Sequence, residues 1–475
     1  MRVPGFVGPS YQLASPVAGN DRTVNLYPEI REVPGGESQT LLYGVPGLLV
    51  DTVFPDGPIR AVFAQEGRVF VIAGTRFYER FGPESYQQRG SVAGSSQNAT
   101  MCSNGRGGNQ LFLTSGGRGY TFNLASNTFA LVADADFPAN VVMGGYLDGY
   151  FVVLTADGRF FLSALNDGTS WDAADVARRS QGSDAWRALV VQPPNLWLFG
   201  SQTTEVWYNS GAADFPFVQI PNAFLDVGVA APFSATPFDG GIAWLGATRA
   251  GTRMAYRSVQ FTAQRISTHG TEYQWSLYPT VEDAIGYSYQ EAGHLFYVLT
   301  FPTAGHTWAY DAATQQWHER GAWHGGTGDY MAHPGRCHAV TDTGVHLIGS
   351  ETDGTLFQQT LNHHRFGNDI RRWMRRVPTL SAERQRLFFG ALELAMEVGV
   401  GPDAAAQVDL RWSDDGGRTW SNVHAGSAGP IGAYQERVTW QRLGSSRSRQ
   451  FEFAGSANMQ TALLDCYAEV QRGTS

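Results

Sequence analysis

A short apolar run closing near a small residue recurs seven times along this chain, and its spacing constrains the fold more than any other feature. The run reads VFVIAG at 69–74, LFLTSG at 111–116, FVVLTA at 151–156, LWLFGS at 196–201, IAWLGA at 242–247, FYVLTF at 296–301 and HLIGS at 346–350. Successive starts lie 42, 40, 45, 46, 54 and 50 residues apart. Turns flank several of these runs. Gln65-Glu66-Gly67 and Leu147-Asp148-Gly149 precede two of them, and Thr155–Gly158 leads into a second aromatic strand, RFFL at 159–162. That is a repeated hairpin. A period of about 40–50 residues built from short strands marks a β-propeller with four strands per blade. Each blade buries its faces on its neighbours, and ring closure protects the edges. The spacing predicts an all-β chain with a propeller of about seven blades, range six to eight, over 58–360. A series of β-sandwiches is the alternative, and the even spacing favours the propeller.

The flanks read differently. Residues 1–57 are rich in Pro and Gly, with a turn at Val45-Pro46-Gly47-Leu48, and read as an extended lead-in. Residues 361–386 form a basic, aromatic linker, helical in part. Residues 387–475 form an appended β-sandwich-like domain, with strands expected at 387–400, 407–412, 419–424, 436–443, 449–453 and 461–470.

Charge narrows the function classes. The basic side chains are 34 Arg with no Lys, against 43 Asp and Glu, for a net charge of −9. Residues 1–360 hold 20 Arg and 31 acids (−11), and residues 361–475 hold 14 Arg and 12 acids (+2). An acidic body argues against tight nucleic-acid binding, which rests on neutralising phosphates. It does not exclude lining a passage that DNA slides through, where weak contact is wanted. The hydrophobic fraction of 43% supplies a large core. Cys102, Cys337 and Cys466 lie far apart, with no CxxC, so neither a disulfide framework nor a zinc site is expected. The N-terminal MRVPGFVGPS lacks a signal-peptide pattern, and no apolar run reaches the 18 or so residues of a membrane span. The expectation is a protein made in the cytoplasm with no membrane anchor.

Few motifs suggest chemistry. Ser413-Asp414-Asp415-Gly416-Gly417-Arg418-Thr419-Trp420 fits the Asp-box pattern S-x-D-x-G-x-T-W. In that turn Asp415 caps the backbone, Gly417 takes a positive φ, and Trp420 packs beneath. Ser413, Asp415, Gly417 and Trp420 are read as a structural turn, because the box folds a hairpin and is not catalytic. Ten of the eleven His fall between His269 and His364, yet none has the HExxH spacing of a zinc hydrolase. No GxSxG, P-loop or dinucleotide fingerprint is present. No catalytic residue, cofactor or metal is expected. Arg371, Arg372, Trp373, Arg375 and Arg376 are a candidate protein or DNA interface, since Trp among Arg is a hot-spot pairing. A solvated charge run is the plain alternative.

Four ordered stretches carry a resemblance: VNLYPE at 24–29 with PGL at 46–48, FGSQTTEVWYNSG at 199–211, Trp308–Ala312 leading to Trp317, and RVTWQRLG at 437–444. With these the chain resembles the packaged-DNA stabilisation, or tail hub (nozzle), proteins of P22-like short-tailed phages. The resemblance implies a homo-hexamer of propeller subunits in the virion tail, below the portal and its adaptor ring. It implies a role in closing the channel, retaining packaged DNA and forming the ejection conduit. It also implies carriage of tail fibres or tailspikes, with a tail needle as a further partner. Genomic DNA would pass through the lumen without sequence specificity. The alternatives are a propeller glycosidase or sialidase, and a glycan-binding tail adhesin.

Overall fold

The computed structural model describes residues 1–33, 38–179, 184–248, 251–383, 385–401 and 406–473. Seven sheets follow one another around a ring. Blade 1 spans 59–91, blade 2 100–131, blade 3 141–178, blade 4 186–225, blade 5 228–265, blade 6 285–324 and blade 7 335–360. Within each blade the strands pair antiparallel in chain order, apart from a split inner strand in blade 5. The innermost strands of successive blades touch in order, and that of blade 7 touches that of blade 1. The ring is a closed seven-bladed β-propeller.

The recurring apolar run is the second strand of every blade: Arg68–Ala73, Gln110–Ser115, Tyr150–Thr155, Asn195–Gly200, Gly241–Ala247, His294–Phe301 and His346–Ser350. Both faces of such a strand lie against neighbouring blades. Consecutive residues are therefore buried, as in Leu111, Phe112 and Leu113, each 0% exposed. A strand buried on both faces reads as a continuous apolar run rather than an alternating one.

Closure of the ring uses the N-terminal region. Gly47–Val53 pairs antiparallel with Thr355–Thr360 as the next strand of blade 7. Where blade 7 meets blade 1, a side chain at Gly349 would meet Ile59 at 2.5 Å and Cys337 at 2.8 Å, so only glycine fits.

The lead-in expected over 1–57 is thus two structural parts. Gly47–Val53 belongs to blade 7, and the preceding strands belong to a β-sandwich. One sandwich sheet runs Leu26–Ile30, Thr40–Gly44, Ala462–Arg472, Leu387–Met396, Val438–Gln441. The other runs Asn20–Val24, Trp373–Arg376, Ser448–Gly455, Gln407–Ser413, His424–Ser427. Leu26, Leu42, Phe389, Leu392, Leu410, Phe451, Phe453 and Cys466 fill the space between them. Each such side chain contributes about 1.5–3 kcal/mol by leaving water. Both ends of the chain therefore build one domain. The Pro and Gly content of 1–57 hides this, because the partner strands lie some 400 residues away.

The linker expected at 361–386 is also strand. Arg365–Phe366, Asp369–Ile370, Trp373–Arg376 and Leu380–Ser381 all pair in sheets, and none of the segment's described residues is helical. The strand expected at 419–424 is instead turn and irregular backbone, with pairing from His424 to Ser427. The second sandwich sheet continues into blade 6 through a parallel bridge between Val24 and Glu319. The sandwich is therefore hydrogen-bonded to the propeller through the backbone.

Candidate functional site

The basic segment and the Asp-box turn, 40 residues apart in the sequence, meet at the junction of sandwich and propeller. Strand alternation sends Trp373 and Arg375 to one face and Met374 and Arg376 to the other. Trp373 enters the sandwich core, where its ring fills the space a side chain at Gly455 would need. Arg375 is 1% exposed and gathers the N-terminal segment. It donates to the carbonyl oxygens of Phe6 and Gly5, each at 2.6 Å, and to Thr23 Oγ1 at 2.7 Å. Burial pulls its guanidinium down to about 10, since no carboxylate touches it.

Arg376 donates from Nε to Glu452 Oε2 at 2.9 Å and from Nη1 to Asn20 Oδ1 at 2.8 Å. Arg411 takes the other oxygen of Glu452 at 2.6 Å. Both guanidinium groups lie over the ring of Trp420, 4.7 Å and 4.9 Å from its centroid. Burial would raise the Glu452 carboxyl, but the two guanidiniums hold it below its ordinary range. Arg372 pairs with Asp409 at 2.8 Å and covers Trp323. Arg22 pairs with Glu319 at 2.6 Å, and Ser10 Oγ donates to the same carboxylate at 2.9 Å. Arg22, Arg372, Asp409, Arg411 and Glu452 line a cavity of about 250 Å³ together with Trp323 and Tyr330.

The Asp-box turn is built from internal hydrogen bonds. Ser413 Oγ donates to Asp415 Oδ1 at 2.7 Å and accepts from the Gly417 amide at 2.7 Å. Asp415 accepts from the amides of Arg418 and Thr419 at 2.9 Å and from Thr419 Oγ1 at 2.6 Å. Those donors hold its carboxyl far below the usual range. Gly417 has φ +91°, and Trp420 Nε1 donates to its carbonyl oxygen at 3.2 Å.

The geometry corrects the reading of 371–376 as an exposed interface. Arg371, Trp373 and Arg375 are buried within the chain, and Arg376 is paired inside it; only Arg372 of the five reaches solvent to a useful degree. A run of four Arg around one Trp reads as surface, because ordinary Arg is rarely buried. The partners that make burial tolerable are Glu452 and Asn20 for Arg376, and Thr23 and the N-terminal carbonyls for Arg375, which sequence reasoning did not single out. The pattern RQFEF at 449–453 holds a usable signal: Phe451 and Phe453 face the core, so Gln450 and Glu452 share the opposite face.

The mouth of the propeller ring is a second concave feature, about 590 Å³, lined by residues of blades 4, 5, 6 and 7 and the loop before blade 2. Arg336 organises it, donating to Asn98 Oδ1 at 2.5 Å, the Ser96 carbonyl at 2.6 Å and Glu351 Oε1 at 3.2 Å. Burial and nearby Asp283 push the Glu351 carboxyl up. The three cysteines carry thiols raised by burial, Cys337 to about 12, so none is a ready nucleophile. Among the described residues no group of three or more His, Cys, Asp or Glu side chains could hold a metal, and no helix is long and apolar enough to cross a membrane.

Comparisons with known proteins also find a propeller followed by a sandwich, with the propeller match taking in the N-terminal strands from residue 20. Residues 20–362 match the phage stabilisation family described as bacteriophage P22 Gp10, beta-propeller, and residues 372–471 match bacteriophage P22 Gp10, beta-sandwich. No curated protein matches the sequence. Solved structures similar to this chain include the N-terminal domain of Nup159, at 11% identity and a TM-score of 0.43, covering 69% of this chain and 98% of that one. The WD40 propeller domain of Doa1 is similar at 13% identity and a TM-score of 0.40, covering 67% and 96%. The two family matches together span nearly the whole chain, which therefore belongs to the bacteriophage P22 Gp10 family of phage structural proteins and carries both of its domains.

Proposed function

We propose that the chain is a tail nozzle (hub) subunit: a virion protein that closes the portal channel after packaging, retains the DNA and later forms the conduit for ejection. The observation that carries this reading is the match of both domains, in order, to the Gp10 family. In this reading six copies form a ring on the portal adaptor and bear the fibres or tailspikes, with a tail needle as a further plug. Three physical features support it. A closed seven-bladed ring is a stiff wedge, suited to heterologous contacts that close around an axis. The backbone pairing of sandwich to blade 6 makes the two domains one body able to resist internal pressure. A net charge of −11 over residues 1–360 repels phosphates from any passage that this part lines. The role is structural rather than enzymatic.

A nonsense mutant tests the reading. Its particles should package DNA and then lose it, and purified chain should join six-fold rings when mixed with the adaptor protein. Mutant particles that keep their genomes and infect normally would overturn it.

A further inference from the structure

A cavity of about 350 Å³ lies where the strand pair Leu26–Ile30 and Thr40–Gly44 faces the turn after blade 7. Tyr27, Glu29, Tyr43, Asn362, His364 and Arg371 contribute to its wall. Arg371 is 3% exposed, and its assigned bonds go only to the carbonyl oxygens of Val45 and Met459, the latter long at 3.5 Å. Its Nε has no partner among the described residues. A guanidinium carries five N–H donors, so Arg371 enters the cavity wall with several unspent.

Several buried arginines are balanced; Arg60 and Arg320 also leave an Nη2 without a partner among the described residues, but neither lines this cavity. Arg22, Arg80 and Arg376 each hold a carboxylate within 2.8 Å. Arg375 has no acid but spreads its donors over the backbone of the N-terminal segment and Thr23. Arg371 has neither a carboxylate nor a full set of carbonyls among the described residues. A buried charge without a counter-charge carries a large desolvation penalty. Such a cost is tolerated where a ligand relieves it.

The neighbouring groups set the ligand's charge. His363 Nε2 and His364 Nδ1 also lack partners. Burial and the Arg371 charge keep the His364 ring neutral near pH 7. Glu29, also in the wall, is engaged by His294 at 2.9 Å. The cavity therefore offers the unpaired charge of Arg371, neutral imidazole and two tyrosine rings beside the His294-bound carboxylate of Glu29, which suits a monoanion and disfavours a phosphate dianion. We infer that this cavity is a carboxylate-binding site, in which Arg371 pairs a single carboxylate presented beside Tyr27 and Tyr43. The carboxylate comes either from a free small acid or from an acidic side chain of a partner polypeptide.

The test is thermal unfolding of the full chain titrated with sodium acetate, against sodium chloride at matched ionic strength. Acetate should raise Tm saturably above the chloride control, as ligand linkage requires. Arg371→Gln should weaken the response at least tenfold. Asn362→Asp, at an exposed position that leaves folding intact, should do the same by placing a fixed carboxylate in the wall. Blocked Ala-Glu-Ala and Ala-Gln-Ala peptides separate the sources: a response to the Glu peptide below the acetate concentration assigns a polypeptide, and a response to acetate alone assigns a free acid. Acetate indistinguishable from chloride, an unchanged Asn362→Asp response, or a larger shift with inorganic phosphate would each overturn the assignment.

Discussion

Arg376 lies over the ring of Trp420, its Cζ 4.7 Å from the centroid, while its Nε donates to Glu452 at 2.9 Å. One side chain thus joins the strand that follows the propeller to the Asp-box turn of the sandwich. Glu452 is the shared counter-charge for Arg376 and Arg411 and is 4% exposed. Glu452→Gln should destabilise the chain by about 3–5 kcal/mol, because it strands two partly desolvated guanidiniums. Glu66→Gln, which breaks a pair with the exposed Arg106, should cost about 0–1 kcal/mol. Urea unfolding followed by tryptophan fluorescence compares the two, and equal effects would show that the Glu452 hub is not buried in solution.

The Asp-box turn should matter to folding and not to any hydrolytic activity. Ser413→Ala removes the acceptor of the Gly417 amide and the donor to Asp415, and should cost about 1–2 kcal/mol. Gly417→Ala places a side chain at φ +91° against Asn20 and should cost at least as much, about 1–3 kcal/mol. Differential scanning calorimetry reads both. A loss of glycoside cleavage in either variant would contradict the structural assignment.

The propeller should open first at its closing strand. Leu48 is 0% exposed and packs in the cluster that contains Phe357. Leu48→Ala should cost about 2–5 kcal/mol. Amide hydrogen exchange should rise most in Gly47–Val53 and its partner Thr355–Thr360, while blades 2 to 4 stay protected. Uniform loss of protection would mean that the ring melts as a single unit.

Stability should peak near neutral pH. His294 Nε2 meets Glu29 at 2.9 Å and Nδ1 meets Asp311 at 2.8 Å, and these carboxylates raise it to about 9 despite its burial. A raised group stabilises fully below its unfolded value, roughly 6.5, and loses that contribution as pH climbs through 9. His333 and His338 behave oppositely. Burial lowers both to about 3, so the unfolded chain gains protons first as pH falls below roughly 6.5. Tm should therefore decline on both sides of about pH 6.5, by about 1 °C per kcal/mol at this chain length. His294→Gln should flatten the alkaline limb and leave the acid limb intact; an unchanged alkaline limb would remove His294 as its cause.

The sequence by itself determined the repeat. The second strand of each blade is buried on both faces, so its apolar character depends on nothing but its own place in the blade, and seven such strands betray seven sheets. The Asp-box turn is equally local, since the hydrogen bonds of Ser413, Asp415 and Gly417 that shape it lie within Ser413–Trp420. Tertiary structure decided everything that joins distant segments. Asn20–Val24 has no recognisable fate until Trp373–Arg376 arrives beside it, and Gly47–Val53 becomes a blade strand only because the chain returns to it at Thr355. The basic run 371–376 shows the same limit for charge. Whether an arginine is solvated, paired or left unpaired in the interior depends on which carboxylates and carbonyls surround it. Those neighbours are fixed by packing in three dimensions and leave no periodic trace in the run itself.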